Sequence, residues 1–460
     1  MLMSSPWKAC DIRGVYPQDV SPELLGRVGA SVGSTLPAGA RILVAGDFRT
    51  STPALKAALA EGLMGSGAFV LDAGQIPTPV AYFAHRHWKT AAVLIVTASH
   101  NPPDYNGLKL MLGDLPPTPD DFDRLRRRVE QGAFRQQQGA TETIDPVPAY
   151  QAWILERWEQ LRHAPGMVVI LDAGNGAWAE LAPQFFAELG FNVHRLFCRI
   201  DGTFPHRSPD CARPGSLAAL RKEVVRTGAH LGIAWDGDGD RVAFVDGSGS
   251  IVSTDEVSAL LVRWLVPKAP QAKVVYDIKL SDTVRQAILG CGGQPITERS
   301  GHTFIKRTMI ERDCLFGCEA SGHYFYRELH GGDDGLFAAL MMAELVSQCG
   351  VPLAELRRTL APFFATPDLR IPSHLLGYQE IARRLRSVFA SAKEVAIDGI
   401  RLETPEGTIL ARESVTEPVV TMRLEGRSAD SLRNLVDACL KAFPEAAKEI
   451  SQQVERTKEA

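Results

Sequence analysis

The sequence predicts an α/β protein of three similar units with mixed sheets that share one central cleft, followed by a smaller α+β unit. Two observations lead to this prediction. First, an order of strand, helix, strand and a further buried strand with a polar loop after it recurs three times before about residue 365. Second, beyond that point the order is lost, and helices alternate with a hairpin pattern. A chain of 460 residues is also long enough for several domains.

The first unit shows the order most clearly. Residues 41–47, apolar from 42 to 46, are predicted to form a strand. Thr52-Pro53 then favours a helix start, because threonine caps a helix and proline is tolerated in its first turn. Further strands are predicted at residues 68–71 and 91–96. Asn101-Pro102-Pro103 ends regular structure, because proline removes a backbone donor.

Ser99 follows the last of these strands, in the segment Thr97-Ala98-Ser99-His100-Asn101-Pro102. Open α/β sheets place their chemistry at the C-terminal ends of strands, so Ser99 is a candidate nucleophile. A serine in this position is also common as a turn or cap residue. A second polar loop, later in the chain, favours the functional interpretation.

That loop is Asp236-Gly237-Asp238-Gly239-Asp240-Arg241, which follows the third predicted strand of the second unit. Its glycines allow three carboxylates to converge, and such a group suits a hard divalent cation, Mg²⁺ first. A solvated acidic hairpin is the alternative. A calcium EF-hand does not fit, because Arg241 and Gly247 replace its required glycine and glutamate.

The remaining elements follow the same order. In the second unit we predict strands at 168–171, 191–197 and 231–235, with a helix after Asn175-Gly176. In the third we predict strands at 274–277, 294–297 and 315–316, with a helix at 284–289. A helix at 150–161 would bridge the first two units. The C-terminal unit is predicted to hold helices at 378–389 and 428–443, a hairpin turning at 405–407 and a strand at 419–424. The predicted domains are residues 1–145, 146–250, 251–365 and 366–460.

The composition gives no support for several classes of function. Hydrophobic residues make up 45% and charged residues 23% of the chain, as in ordinary globular proteins. The formal net charge is −4 without a long basic block, so we expect neither nucleic acid nor an anionic membrane as a partner. The apolar runs are too short for a membrane span, and a signal-peptide pattern is lacking. We therefore expect a cytoplasmic location, with the eight cysteines reduced.

The serine loop and the acidic loop together resemble the active site of the α-D-phosphohexomutases, the phosphomannomutase/phosphoglucomutase family. The matching motifs are T-A-S-H-N-P at residues 97–102 and D-G-D-G-D-R at 236–241, and the resemblance extends over essentially the whole chain. It implies that Ser99 carries a phosphate, with His100 beside it among the catalytic residues. It also implies a Mg²⁺ ion with the ligands Ser99, Asp236, Asp238 and Asp240.

Other segments resemble further catalytic motifs of the family. They are D-x-R-G at 11–14, D-x-K-x-S at 277–281 and G-H at 301–302. Two cationic residues also match the family: Lys109, which follows N-G-L, and Arg241, which follows D-G-D-G-D. Taken singly, each also fits a turn, a surface charge or a structural histidine. The resemblance implies catalytic roles for Arg13, Lys109, Arg241, Lys279 and His302.

Residues 317–323 resemble the sugar-binding G-E-x-S-G-H loop, with Cys318 between the usual glycine and glutamate. On an extended backbone, Glu319, Ser321 and His323 would lie on one side. The resemblance implies that Glu319 and Ser321 bind sugar hydroxyls. His323 is the candidate general acid or base, because its unperturbed pKa lies near neutrality.

The C-terminal unit would hold the substrate's own phosphate. Residues 412–418, followed by Arg423, resemble the family's R-x-S-N-T-x-P segment, except that Val415 stands where asparagine is expected. Arginine suits phosphate because its planar fork donates hydrogen bonds in pairs. The implied phosphate ligands are Arg412, Ser414, Thr416 and Arg423.

The resemblance implies an isomerase that moves a phosphoryl group reversibly between positions 1 and 6 of mannose or glucose phosphates, through phosphoserine and a hexose 1,6-bisphosphate. A phosphoglucosamine mutase, a serine-dependent metallophosphatase and a non-catalytic sugar-phosphate sensor are the alternatives. The expected partners are small sugar phosphates, and the chain is expected to be a monomer or a small homo-oligomer.

Overall fold

A computed structural model describes residues 5–163, 166–362, 364–413 and 418–456. Its strands form four sheets, three of them mixed α/β sheets and the fourth antiparallel. This arrangement confirms the predicted fold class. In the described part of the chain, no helix is both long and apolar enough to cross a membrane.

The first sheet has six strands and is flanked by helices. The strands are β1 (Ile12–Val15), β2 (Arg41–Gly46), β3 (Phe69–Gln75), β4 (Ala92–Val96), β5 (Tyr105–Leu112) and β6 (Ala140–Thr143). The helices are α1 (Pro22–Thr35), α2 (Thr52–Gly65), α3 (Thr78–His87) and α4 (Pro119–Gln131). The strand order is β1-β5-β4-β2-β3-β6, and β5 runs antiparallel to both β1 and β4. Every residue of β4 is buried, as its uninterrupted apolar sequence predicts.

The second sheet has five strands in the order β11-β10-β9-β7-β8. They are β7 (Val168–Asp172), β8 (Asn192–Leu196), β9 (Leu231–Trp235), β10 (Val242–Asp246) and β11 (Ile251–Val252). The helices of this region are α5 (Val147–Arg157), α6 (Leu181–Glu188) and α7 (Ala218–Thr227), and a 3-10 helix at Glu159–His163 follows α5.

The third sheet has five strands in the order β13-β12-β14-β15-β16. They are β12 (Lys273–Asp277), β13 (Gln294–Glu298), β14 (Phe316–Cys318), β15 (Tyr324–Tyr326) and β16 (Gly332–Asp333). The helices are α8 (Thr254–Leu265), α9 (Asp282–Gly290), α10 (His302–Glu311), α11 (Gly335–Cys349) and α12 (Leu353–Arg358). A capping box at Ser253 begins α8, and Asp334 caps α11.

The fourth sheet has the order β17-β22-β21-β20-β19, and β18 also pairs with β22. Its strands are β17 (Phe364–Ala365), β18 (Leu369–Pro372), β19 (Lys393–Val395), β20 (Ile400–Glu403), β21 (Gly407–Glu413) and β22 (Val419–Gly426). Its helices are α13 (Tyr378–Val388), α14 (Ala429–Ala442) and α15 (Ala447–Arg456).

The three α/β sheets place their candidate functional loops at the same topological position. In each sheet a central strand pairs in parallel with a second strand, β4, β9 or β14, which then pairs antiparallel with the next strand. The loop at that reversal carries Ser99 in the first sheet, the three aspartates in the second and Glu319 in the third. The repeat read from the sequence is therefore a repeat of sheet topology.

The hydrophobic core joins the three α/β sheets and leaves the fourth sheet with a core of its own. One continuous cluster includes Ile95 of β4, Trp235 of β9 and Phe316 of β14. A separate cluster includes Ile409 and Leu424 of the fourth sheet. The C-terminal unit therefore folds around its own apolar residues.

Two predicted helices differ from the observed ones. The bridging helix starts at Val147 rather than at residue 150, because Pro148 suits a first turn, and its last part becomes 3-10. The helix predicted after Asn175-Gly176 begins only at Leu181. Gly174 and Asn175 both have positive φ, so the chain turns here before the helix starts.

The domain boundaries drawn from the sequence stay predictions. Two short strands lie on the other side of a predicted boundary from the rest of their sheet. Ile251–Val252 pairs with β10, and Phe364–Ala365 pairs with β22.

Candidate active site

Ser99 lies on the loop between β4 and β5 and is almost completely buried, with 1% of its surface exposed. Its φ of 51° is in the left-handed region, which is uncommon for a residue with a side chain. Its N–H donates to Thr97 Oγ1 at 2.8 Å. Its hydroxyl donates to Asp236 Oδ2 at 2.6 Å and lies 3.2 Å from His100 Nδ1. The serine loop and the acidic loop therefore meet at the hydroxyl of Ser99.

The three aspartates are buried together on the hairpin loop between β9 and β10. One oxygen from each of Asp236, Asp238 and Asp240 lies within 4.8 Å of the others. A Cβ on Gly237 would lie 2.5 Å from the carbonyl oxygen of Ser99, so glycine is needed for the two loops to approach this closely.

Lys109 is the cation closest to this acidic group. Its Nζ donates to Asp238 Oδ2 at 2.8 Å and forms a second ion pair with Asp240. Burial opposes the charge of Lys109, but Asp238 and Asp240 outweigh it and hold the pKa of the lysine well above its usual value. One lysine does not neutralise the group, because burial and the neighbouring carboxylates still raise the pKa of Asp236 to about 8.

The acidic group fits a divalent cation. Asp238 Oδ1 is buried and has no hydrogen-bond partner among the described residues. Carboxylate oxygens, with the Ser99 hydroxyl beside them, are the oxygen donors that Mg²⁺ prefers. The structure thus brings together all four residues that the sequence analysis assigned to a metal.

The predicted extended backbone at residues 319–323 is wrong, because this segment forms the turn between β14 and β15. The N–H of Gly322 donates to the carbonyl oxygen of Glu319 at 3.0 Å, and Gly322 has a φ of 92° that favours glycine. The turn nevertheless collects the three predicted side chains. His323 Nδ1 lies 2.9 Å from Ser321 Oγ and 3.0 Å from Glu319 Oε2.

His323 connects this turn to the acidic loop. Its Nε2 lies 3.1 Å from Asp240 Oδ1, and the backbones of His323 and Arg241 form an antiparallel bridge. Burial opposes protonation of the ring, but Asp240 and Glu319 outweigh it and raise the pKa of His323 to about 9. The ring therefore holds a proton at neutral pH, unlike the near-neutral group assumed from the sequence.

His302 and Arg241 line the same region. The ring of His302 stacks on that of His323 at a centroid distance of 5.6 Å. Burial, reinforced by Lys109, lowers the pKa of His302 well below its usual value, so this histidine stays neutral. Arg241 has a buried Nε without a hydrogen-bond partner in the part of the chain that is described.

Arg13 lies on strand β1, and Lys279 lies on the loop that follows β12. Arg13 Nη1 donates to Asn101 Oδ1 at 2.9 Å, next to the serine loop, and Arg13 also pairs with Asp11. Lys279 Nζ lies 3.8 Å from Asp277 Oδ2, at the end of β12.

Two of the predicted phosphate residues, Arg412 and Arg423, lie on the fourth sheet. Arg412 Nη2 is 2.9 Å from Asp398 Oδ2. Arg423 reaches the third unit, where its Nη2 donates to Asp255 Oδ2 at 2.9 Å and its Nη1 to the carbonyl oxygen of Lys279 at 3.2 Å. Arg423 thus connects the fourth sheet to the Lys279 loop.

Ser414 and Thr416, together with the departure from the family pattern at Val415, lie outside the described residues. Their predicted part in phosphate binding stays a prediction.

Comparisons with known proteins agree with this geometry. Family models of the phosphoglucomutase/phosphomannomutase alpha/beta/alpha domains I, II and III match residues 7–136, 149–249 and 253–363. The phosphomannomutase/phosphoglucomutase of Pseudomonas aeruginosa is 33% identical over 439 residues, covering 94% of each chain. This chain belongs to the α-D-phosphohexomutase family. The predicted family and reaction class are thereby confirmed.

Two further matches span nearly the whole chain. The probable phosphoglucosamine mutase of Thermococcus gammatolerans is 33% identical over 446 residues, covering 95% of this chain and 98% of the relative. A crystal structure of a phosphoglucomutase/phosphomannomutase family protein from Burkholderia thailandensis is 33% identical, with a TM-score of 0.87. It covers 97% of this chain and 98% of its own. Relatives named for different sugars are thus equally similar to this chain, at 33% identity.

Sequence reasoning missed several residues that support the phosphohexomutase site. Thr78 Oγ1, at the start of α3, donates to Asp238 Oδ2 at 2.7 Å. Asp47 and Arg49, which follow β2, lie beneath the serine loop. Asp47 could have been found from its position directly after a buried strand, because open α/β sheets place their functional loops at such strand ends.

Proposed function

We propose that this phosphohexomutase moves a phosphoryl group reversibly between positions 1 and 6 of glucose or mannose phosphates, through a phosphorylated Ser99 and a hexose 1,6-bisphosphate. The observation that carries the proposal is the 2.6 Å hydrogen bond from Ser99 Oγ to Asp236 Oδ2. It places the oxygen that would accept the phosphoryl group at a buried acidic site. Covalent transfer through serine divides one difficult exchange between two sugar positions into two steps.

The metal site would be formed by Asp236, Asp238 and Asp240, with Ser99 as a further ligand. Bound there, Mg²⁺ supplies positive charge that neutralises the oxygens of the transferring phosphoryl group. Lys109, between Asp238 and Asp240, adds a second positive charge on the same side.

His323 is the proposed acid and base for the sugar oxygen. When the phosphoryl group returns to Ser99, the bond between phosphorus and the sugar oxygen breaks, the bond to Oγ forms, and the hydroxyl proton of Ser99 passes to Asp236, its hydrogen-bond acceptor. The imidazolium, favoured by Asp240 and Glu319, gives its proton to the departing sugar oxygen. In the opposite direction the neutral ring takes a proton from the sugar hydroxyl, and Lys279 is proposed to assist.

The remaining predicted residues would hold the sugar and its second phosphate. Glu319 and Ser321 flank His323 and offer an acceptor and a hydroxyl to adjacent sugar hydroxyls. Arg412 and Arg423, with Ser414 and Thr416, would grip the phosphate that is not being transferred. The bisphosphate must then reorient so that its other phosphate faces Ser99. The same phosphate-binding residues therefore have to bind the sugar phosphate in two orientations.

The finer organisation is part of the same proposal. The serine-bearing domain would span residues 1–145, the metal-binding domain 146–250, the sugar-recognition domain 251–365 and the phosphate-binding domain 366–460. We further propose a cytoplasmic enzyme, monomeric or a small homo-oligomer, that a hexose 1,6-bisphosphate activates.

A side-by-side assay tests the proposal. Glucose 1-phosphate, mannose 1-phosphate and glucosamine 1-phosphate are each supplied with Mg²⁺ and a trace of glucose 1,6-bisphosphate. Hexose 6-phosphate and inorganic phosphate are both measured, and Ser99→Ala is the control. We expect 6-phosphate from glucose or mannose 1-phosphate without release of phosphate. Release of phosphate in its place would indicate a phosphatase, and no turnover of any sugar would contradict an enzymatic role.

A further inference from the structure

Arg49 is a fully buried arginine beneath the serine loop, and no motif in the sequence assigned it a role. Its side chain is 0% exposed. Its Nη2 donates to the carbonyl oxygens of Ser99 at 2.8 Å and Asn101 at 2.6 Å. Its Nη1 donates to those of Pro102 at 2.5 Å and Tyr105 at 3.1 Å. One guanidinium therefore donates to four carbonyl groups, from Ser99 on the loop after β4 to Tyr105 at the start of β5.

Asp47 anchors this arginine and reaches Ser99 by a second route. Asp47 Oδ2 accepts hydrogen bonds from Arg49 Nε at 3.1 Å and from Thr97 Oγ1 at 2.7 Å. Thr97 Oγ1 in turn accepts the N–H of Ser99 at 2.8 Å. Ser99 is thus held at both its N–H and its carbonyl group. Such support is needed because its left-handed backbone is unfavourable for a residue that has a Cβ.

The second unit covers this network. The ring of Phe204 lies over the Arg49 guanidinium, with a distance of 5.1 Å from the carbon to the ring centroid. A Cβ on Gly202 would lie 2.3 Å from the carbonyl oxygen of Phe48. Arg49 is therefore enclosed between two units without exposed surface, and its hydrogen bonds connect it to the serine loop.

A similar arrangement supports the acidic loop. Arg207 Nε donates to Asp172 Oδ1 at 2.9 Å, and its Nη2 donates to the carbonyl oxygen of Trp235 at 2.8 Å. Asp172 is the last residue of β7, and Asp47 comes directly after β2, so the two aspartates occupy similar positions in their sheets. Trp235 directly precedes Asp236. Both loops that meet at the Ser99 hydroxyl thus rest on a buried aspartate–arginine pair.

We infer that Arg49 is a positioning residue, which fixes the Ser99 loop so that Oγ lies against Asp236 for phosphoryl transfer. The inference rests on the proposed function, in which Ser99 carries the phosphoryl group. A displacement of about 1 Å in reacting groups costs on the order of 100-fold in rate. Loss of Arg49 would remove a donor from four carbonyl groups, of which that of Pro102 still accepts the N–H of Tyr105, and would allow such a displacement.

The test compares Arg49→Met and Arg49→Lys with a matched control, Arg135→Met. Arg135 lies in the same unit and also donates to three carbonyl oxygens, those of Ser66, Leu36 and Gly33. None of these belongs to the serine loop. For each variant we would measure the unfolding temperature, kcat and KM for the hexose 1-phosphate that is turned over. The rate at which glucose 1,6-bisphosphate phosphorylates Ser99 would be followed by intact-protein mass spectrometry.

We expect Arg49→Met to lower kcat and the rate of Ser99 phosphorylation together, by roughly 10- to 100-fold, while KM changes much less. Arg49→Lys should recover part of the rate, because lysine retains a charge but lacks the planar fork. Arg135→Met should lower the unfolding temperature and leave kcat unchanged. If Arg49→Met does not fold, Arg49→Lys is compared with wild type by the same measurements.

A kcat for the Arg49 variants that equals wild type per folded molecule would overturn the inference. So would a loss of activity that Arg135→Met reproduces at the same loss of stability. Full activity in Ser99→Ala would instead overturn the proposed function, whatever the Arg49 variants show, so the two failures are distinguishable.

Discussion

The hydroxyl of Ser99 donates a 2.6 Å hydrogen bond to a carboxylate oxygen of Asp236, although the two residues are 137 positions apart in the chain. Ser99 lies on the loop that follows β4 of the first sheet, and Asp236 directly follows β9 of the second. The contact therefore exists only when both α/β units are folded and packed together. It joins the predicted phosphoryl carrier to the predicted metal ligands in one site.

Removal of the metal should abolish activity. The three aspartates are buried, with Lys109 against Asp238 and Asp240 and His323 against Asp240. Asp238 Oδ1 has no partner among the described residues. We expect EDTA to stop turnover and Mg²⁺ to restore it, whereas Ca²⁺ should bind but support little turnover, because its geometry is less strict. Calorimetric titration should show that Asp238→Asn weakens Mg²⁺ binding. The exposed Asp123→Asn is the control, and full activity in EDTA would contradict the site.

Replacement of His323 should affect catalysis more than binding. Its ring lies between Asp240 and Glu319 and holds a proton for the sugar oxygen. We expect His323→Ala to lower kcat by roughly 10²–10⁴-fold, the usual range for loss of a general acid or base, with a smaller change in KM. The exposed His374→Ala should leave both constants unchanged. A variant changed only in KM would assign His323 to binding.

The stability of the protein should fall with rising pH because of Asp334, at the start of α11. Burial raises the pKa of this carboxyl to about 7, although Tyr150 Oη donates to it at 2.6 Å. In the unfolded chain its pKa is about 3.9. A pKa that is higher in the folded state gives stabilisation that is complete below pH ~4 and is lost as the pH rises through about 7.

The isosteric Asp334→Asn tests this dependence. Asparagine does not ionise and still caps a helix, so α11 should be retained. Between pH 5 and pH 8.5, the unfolding temperature of the wild type should fall more than that of the variant. Parallel curves for the two proteins would show that Asp334 is not the group responsible.

Local sequence patterns were sufficient to predict the positions of the loops but not the contacts between them. The apolar runs before Ser99 and Asp236 predict buried strands, and the polar residues that follow predict loops at one sheet edge. The contact of Thr78 with Asp238 spans 160 positions, so no local pattern reveals it. The turn that ends in Gly322 was missed because alternating side chains also fit an extended strand.

The electrostatics of the site could not be predicted for a similar reason. The pKa of His323 depends on Asp240, which comes from another sheet, and on burial that only the packed units provide. No role was assigned to Arg49 from the sequence. The role inferred for it depends on carbonyl groups about 50 positions later, and no local pattern connects that segment to Arg49.

Val415 offers a test of the predicted phosphate-binding segment. An asparagine side chain would donate a hydrogen bond to the substrate phosphate, and one hydrogen bond to a charged group is worth roughly 1.5–3 kcal/mol. We therefore expect Val415→Asn to lower KM for hexose 1-phosphate several-fold, with a smaller change in kcat. Steady-state kinetics of this single variant is sufficient, and an unchanged or raised KM would count against the predicted role of the segment.

The central claim is that Ser99 carries the phosphoryl group between the two positions of the sugar. The most direct measurement starts with enzyme phosphorylated by glucose 1,6-bisphosphate and freed of excess reagent. It is mixed with one equivalent of hexose 1-phosphate and followed by intact-protein mass spectrometry and peptide mapping. We expect one phosphate on Ser99 at the start, a transient loss matched by an equal amount of hexose 1,6-bisphosphate, and return of phosphate to Ser99 as hexose 6-phosphate forms. A phosphate on another residue, or turnover by Ser99→Ala at the wild-type rate, would contradict the account.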